Sequence, residues 1–589
     1  MASNYAIKTP HAAVLVWNYI DRIGTEGMTS SPESSGVDDL TGVEPTIIST
    51  LSCISISTSK SKGQPEGSFQ IVLAPTKDWV STLTAGSWLA ILMSNDPITQ
   101  DDLKSANKSQ VKMIGKIESV RTEVTVGDDG ARQTRFYVAG VDWCHIFNNI
   151  LYVDNLIASS DDPKSQGNAI AVALRNLLFG NDGTPKSFNV DENLTALIGL
   201  FGKSAGGLMK AGVDINRLAA SLYSFNMPKE MVQYFNFVDS DGDPSDSVKI
   251  NDNLTLTSGK LIDNDTYLPT NEAKGYIDPF TLQGQHTFWQ VLMDNSNPVL
   301  NEMYPEMAWV GGDDPSNNSL QLTIYNRIKP FSFRGFDSEG GAGDGPLSYF
   351  QYVKLHDIDP VTVMSINAGT NWRDKFNFIE VKPNFQDFNV IANWYKQKSQ
   401  AFDAQAFERE GFRPLILETK QFPSATNKAG GNTTDINVDW DQLQKWVLLL
   451  REWYFNTHRM LNGTMVMYGT TDYIAVGDNI RVPTELLSVT PNLTVDIADD
   501  ASNDDWYVLA QVESVSHNFT VGGDGARSYT TTIQFVRGII VDGDNVALGD
   551  GPLDKLADGV TQGHRETNTQ NVISSSDSSD PDGTKLAGT

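Results

Sequence analysis

Three short motifs in this chain carry the residue types of known chemistries, and each can be held against the spacing its chemistry needs. Gly202-Lys203-Ser204 ends like a phosphate loop. Such a loop needs a glycine five residues before its Gly-Lys pair; Leu197 stands there, so the backbone cradle is incomplete. The overlapping Gly202-Lys203-Ser204-Ala205-Gly206 is formally the Gly-x-Ser-x-Gly of a hydrolase elbow, with Asp239 and His286 or His356 available downstream. That elbow needs a strand and then a helix, and these flanks read as helix on both sides, so a structural helix–loop–helix is the better reading. Asp239, Asp241 and Asp243 begin like a calcium loop, but Pro244 takes the glycine position and Ile250 the position of the closing glutamate. A solvated turn fits better. The histidines are scattered and form no His-Glu-x-x-His pair. Cys53 and Cys144 are too few for a disulfide scaffold or a cysteine zinc site, and two free thiols suit a reducing cytoplasm. The expectation is a chain with no catalytic residue, no metal site and no cofactor.

The elements that would position such groups are mostly strands. The 589 residues are too many for one core, and hydrophobic content of 40% is ample for several globular domains. Net charge is −29, which repels nucleic acid; it suits general solubility, or a conduit through which DNA slides without sticking. Residues 12–20 are apolar, but short and without a basic flank, so they do not read as a signal peptide, and no apolar run approaches the length of a spanning helix. Residues 1–47 read as an N-terminal arm. Strand signals begin at Ser49, with Ile54/Ile56 and Phe69/Ile71/Leu73 alternating with polar residues. Residues 156–370 differ: 169–178 and 194–223 read as helices within a mixed α/β segment. The spacing of Leu443, Trp446, Val447, Leu450, Tyr454 and Leu461 predicts an amphipathic helix over 439–461, capped by Asp439 and ended by Asn462-Gly463. The acidic tail 546–589 reads as a flexible linker.

One pattern exceeds all of these. Residues 117–132 (IESVRTEVTVGDDGAR) and 512–527 (VESVSHNFTVGGDGAR) agree at ten of sixteen positions at a constant offset of 395. Each reads as two alternating strands about an Asp-Gly turn, which supplies positive φ at low steric cost. Upstream of each lies another strand opened by a glycine, Gly86 in one and Gly477 in the other. Equal order and near-equal spacing predict two homologous small β-barrel or sandwich domains.

The second copy, with its preceding helix, Asn462-Gly463-Thr464, Gly469, the Val476-Gly477-Asp478 turn and the strand pair 512–535, resembles the baseplate hub proteins of contractile-tailed bacteriophages and related injection machines. Glu408-Arg409-Glu410-Gly411-Phe412-Arg413-Pro414 resembles a segment that precedes that helix in the family. The resemblance covers about 48–155 and 370–545. It implies an α+β, mainly β chain with two homologous tube-type β-barrel domains (48–155 and 371–545, the latter including helix 439–461) and a mixed α/β domain (156–370) inserted between them.

By the same resemblance the protein is a structural virion component, assembled in the host cytoplasm. It would be a homotrimer joining a hexameric tail tube above to a trimeric central spike below. Two barrels in each of three chains give six quasi-equivalent positions. Tape-measure and baseplate wedge proteins are further partners, and DNA passes through the channel without specific contacts. The hairpin tips Gly127, Asp128, Asp129, Gly130 and Arg132, and Gly522, Asp524, Gly525 and Arg527, become candidate assembly contacts, with Asp129/Arg132 and Asp524/Arg527 as ion-pair partners. The plainer alternative for the tips is exposed turns alike through shared ancestry. The alternative for the chain is a tail-associated cell-wall hydrolase with its site in 156–370.

Overall fold

The computed structural model describes residues 9–18, 45–99, 102–103, 110–126, 130, 132–145, 148, 151–154, 187–188, 231, 234, 248–254, 274–277, 284–287, 289–290, 299, 301–310, 319–328, 355–383, 400–419, 421–424, 447, 450–451, 454–455, 457–470, 473–487 and 506–541. The helices expected at 169–178 and 194–223, the motifs at 202–206 and 239–243, and the tail from 546 lie outside these residues.

Within them the chain is mainly β. The first copy contains β1 (His11–Trp17), β2 (Thr46–Ile48), β3 (Cys53–Ser61), β4 (Ser68–Leu73), β5 (Trp88–Ser94), β6 (Val111–Val126) and β7 (Arg132–Asp142). From the middle of the chain comes β8 (Asn301–Val310), paired antiparallel with Ser319–Ile328. The second copy contains β9 (Leu355–Asp357), β10 (Val363–Gly369), β11 (Leu461–Tyr468), β12 (Asn479–Pro483), β13 (Tyr507–Val521) and β14 (Arg527–Val541).

The duplication holds over five strands; at the sixth, β1 runs antiparallel to β5 whereas β9 runs parallel to β12. The first copy runs β3-β4-β7-β6-β5-β1 across the sheet, and the second runs β10-β11-β14-β13-β12-β9. Registers coincide too. Val126 faces Arg132 in one hairpin and Val521 faces Arg527 in the other. Each long strand carries a bulge at its shared glutamate, between Ile117 and Ser119 and between Val512 and Ser514. A second pair of bulges falls at Cys53/Ser55 and Val363/Ser365. Gly86 and Gly477 have φ of 90° and 86° and make the same bond, the N–H of one donating to Ile117 O and that of the other to Val512 O. Bulges fix where a strand bends and which face each later residue presents, so matched bulges mean matched cores.

One cross-strand pair shows how the cores diverged without losing volume. Phe69 lies opposite Gly140 in the first copy, whereas Gly463 lies opposite Phe535 in the second. The aromatic ring has changed strand and the glycine has changed with it. A Cβ added at Gly140 would fall 2.6 Å from Phe69 Cζ, and one at Gly463 would fall 2.7 Å from Phe535 Cζ.

Three findings bear on the expectations. The described strands of both copies lie in one 13-stranded sheet, and no closed barrel is formed among them. The reason is that the outer half of β13 pairs with β3 of the first copy, leaving β10 at the sheet edge. Next, the span expected as an N-terminal arm holds β1, a buried strand paired along β5, so the apolar run there is core. Finally, within 439–461 the described helical residues are Val447, Leu450, Arg451 and Tyr454. Thr457–Arg459 is a 3-10 turn and Leu461 already begins β11, so Asn462-Gly463 does not end the helix. Gly463 is required there because Asn367 O and the Phe535 ring leave no space for a side chain. Among the described residues no helix is long and apolar enough to cross a membrane.

Candidate functional site at the joint between the two copies

Beyond its bulge, β13 stays paired with β14 on one side and turns its other edge to the first copy. Ser514–Thr520 pair antiparallel with Ser55–Ser61 of β3, and Lys62 N–H donates to Glu513 O at 2.8 Å where the joint begins. Alternation then sends Phe519 into the first copy's core, where it is fully buried beside Ile56, Ile71 and Val138, with Tyr529 and Val521 packed around it. His517 lies buried in the same strand, bonded to Thr531 Oγ1 at 3.1 Å and Tyr529 Oη at 3.2 Å. Burial, and then the Lys112 charge, push its pKa well below that of free histidine.

At the other end of the joint sits a closed ionic cluster. Lys60 near the end of β3 and Lys62 just beyond it reach the same cluster, and Glu302, Tyr304 and Glu306 alternate along β8 to meet them. Lys60 Nζ lies 3.0 Å from Asp142 Oδ2 and 3.6 Å from Glu306 Oε1. Lys62 Nζ lies 2.7 Å from Glu302 Oε2 and donates to Gln511 Oε1 at 3.0 Å. Arg537 Nη1 donates to the same two groups at 3.1 Å and 2.7 Å. Glu306 also accepts from Val476 N–H at 2.9 Å, Met307 N–H at 2.8 Å and the Tyr473 hydroxyl. Three cations thus meet four carboxylates, the fourth being Glu513, 3.9 Å from Lys62 Nζ. Burial works against the Lys60 ammonium, but Asp142 and Glu306 more than offset it, so its pKa rises above the ordinary lysine value. Burial raises the Glu306 pKa against the opposing pull of Lys60.

Such a cluster fixes geometry and offers no reagent. Its charges are compensated in place, and a buried ion pair is best attested as a device for register. The cysteines fit the same picture: both thiols are buried, and burial pushes that of Cys53 up to about 12. Among the described residues no group of acidic, histidine or cysteine side chains could hold a metal ion.

The anticipated hairpin-tip residues fall as follows. Gly127, Asp128 and Asp129 lie outside the described residues. Gly130 has φ of 74° with open space around it, and Arg132 is exposed at the start of β7. In the second tip Gly522 N–H donates to Ala526 O at 2.7 Å and Gly525, with φ of 81°, donates to Gly522 O at 2.9 Å. Asp524 Oδ1 accepts from Ala526 N–H at 3.0 Å, a bond within its own turn. Arg527 reaches across the joint to His11 on β1, Nη1 to Nδ1 at 3.4 Å.

The segment Glu408–Pro414 forms a clasp of its own. The helix Ala404–Glu410 ends at Gly411, which has φ of 75°, and buried Asn377 accepts from Arg413 N–H at 2.8 Å and donates to Gly411 O at 2.7 Å. The Arg413 guanidinium lies over the Trp372 ring at 5.0 Å. Sequence reasoning missed the Lys60/Lys62/Glu302/Glu306 cluster. Its one legible signal is Glu302 and Glu306 standing four apart in the otherwise largely apolar strand β8.

No protein-family model matches the chain, and neither does any curated protein. Among solved structures, a tail protein from Neisseria meningitidis is 9% identical, with a TM-score of 0.36, covering 93% of this chain and 99% of that one. The 43 kDa tail protein of prophage MuSo2 from Shewanella oneidensis is 10% identical at a TM-score of 0.34, covering 90% and 98%. A Francisella PdpA–VgrG complex gives 7% identity and 0.31, covering 92% of this chain and 60% of that one. Likeness at this level does not by itself establish a shared fold.

Proposed function

We propose that the chain is a non-enzymatic structural component of a contractile tail, a homotrimeric baseplate hub joining a six-fold tail tube to a three-fold spike. The observation that supports this best is a single chain carrying the same order of five antiparallel strands twice, with matching hairpin registers and bulges, and joining the two copies edge to edge. Two like units per chain are what a three-fold assembly needs to present six like positions to a six-fold partner. In this reading the units are those expected at 48–155 and 371–545, the first taking in β1 and the second taking in β9 and β10 from the end of 156–370, and the rest of 156–370 is an insert. Both hairpin tips work at contacts between units. The acidic surface lets DNA pass without adhering. The experiment is the native mass of the purified chain, by light scattering or mass spectrometry. A species near three times 64.6 kDa is expected. A chain that stays single with tail-tube and spike proteins present would overturn the reading.

A further inference from the structure

The joint between copies is made once within the chain, yet the chain holds its parts twice. β13 uses its outer edge along both halves: Tyr507–Gln511 pair with β12 and Ser514–Thr520 pair with β3. Its counterpart β6 pairs with β5 only over Val111–Lys116. Among the described residues no strand covers the outer edge of β6 from Ser119 to Val126. The counterpart of β3 is β10, which pairs with β11 on one side and ends the sheet on the other. Two open edges therefore match the two sides of a joint that already exists.

Exposure follows the same logic. Phe519 is 0% exposed in the joint, whereas its counterpart Val124 is 57% exposed. Val126 is 67% exposed, while its counterpart Val521 packs against the first core. On the receiving side Met364 is 52% exposed, where the equivalent Ile54 is half-buried. Open strand edges with uncovered valines are templates for pairing, and this chain does not blunt them with proline or inward charge.

We infer that β6 of one molecule adds as a strand to β10 of a second copy of this chain, in the register fixed by the intrachain joint. Carrying that register across places Thr125 opposite Ser365, Val124 opposite Ile366, Glu123 opposite Asn367, Thr122 opposite Ala368 and Arg121 opposite Gly369. Val124 then meets the second core at Val363, Ile366 and Ala368, which are only partly buried in the single chain. Main-chain hydrogen bonds supply affinity in such strand addition, and the alternate side-chain pocket sets register. The occupant is a copy of this chain because β10 repeats the bulge of β3 and β6 repeats the bulge of β13, so both surfaces are already shaped for each other. Each chain offers one arm and one edge, a head-to-tail contact that closes into a ring. The number of chains rests on the hub reading; the strand addition does not.

The test uses the full chain carrying Val124→Cys with Ile366→Cys; the native cysteines are buried and stay silent. Mild oxidation is expected to give an interchain disulfide that closes the oligomer on a non-reducing gel, while Val124→Cys with Ala368→Cys, two residues out of register, cross-links far less. Val124→Lys with Val126→Lys should reduce the native mass to one chain that keeps its far-UV spectrum and cooperative unfolding, since both side chains are exposed in the single molecule. A cross-linked oligomer of three supports joint and hub together. Cross-linking into a ring of another number keeps the joint and overturns the three-chain hub. A three-chain mass with no cross-link and no response to the lysines overturns the joint and leaves the hub standing. A single chain without cross-link at the highest attainable concentration overturns both.

Discussion

His517 is held neutral at the centre of the joint, and its sign can be worked through. Its folded pKa lies below the unfolded value of about 6.5, so between the two the unfolded chain binds more protons. Stability is therefore full above about pH 6.5 and is lost as pH falls, by up to about 1.4 kcal/mol per pH unit. The thermal midpoint should drop from pH 7.5 to 5.5, and His517→Gln should flatten that drop; equal slopes in both proteins would count against it. Lys60→Met leaves Asp142 and Glu306 buried without their cation. By analogy with other broken buried pairs it should cost about 3–5 kcal/mol, read by denaturant unfolding. Little of this was legible in sequence. Lys60 and Lys62 are spaced to face one way, but their partners lie on β7, β8 and β13, and spacing carries no information about which strands meet. The tip residues were legible as turns, because Asp-Gly states its own backbone need, whereas the Arg527–His11 contact was not.

Elements encoded locally were the most readable. Both hairpins follow from alternation about a turn, and the glycines that open β5 and β12 follow from their φ requirement. What the sequence could not disclose was the outer edge of β13, since a strand's pattern gives its two faces and never its neighbours. That gap explains why two separate barrel or sandwich domains were expected, with no hint of the one sheet that runs through both copies. The helix ending was misjudged for a related reason: Asn462-Gly463 is as good a helix cap as it is a strand pair needing room for Phe535. The reciprocal Phe/Gly exchange supplies a prediction. Gly140→Ala and Gly463→Ala should each destabilise by about 1–3 kcal/mol, because each new methyl meets a carbonyl oxygen as well as a ring. Equal chemical-denaturation midpoints for wild type and both variants would show that the glycines are not needed for packing.

For the molecule as a whole, net charge predicts its conduct toward DNA. At about 50 mM salt, where electrostatic binding is strongest, the purified protein should leave duplex DNA unretarded in a gel shift. Retardation would argue against a channel that lets DNA slide. The joint between copies also fixes a timetable. Lys62 and Gln511, bonded across it, stand 449 residues apart. At about 5–20 residues per second the ribosome takes about 20–90 s to deliver the second after the first. For that interval the first copy is on the ribosome with its β3 edge bare. On a crowded messenger the arm that arrives first can belong to a neighbouring nascent chain, so spacing between ribosomes would decide how often two molecules leave synthesis with their halves exchanged.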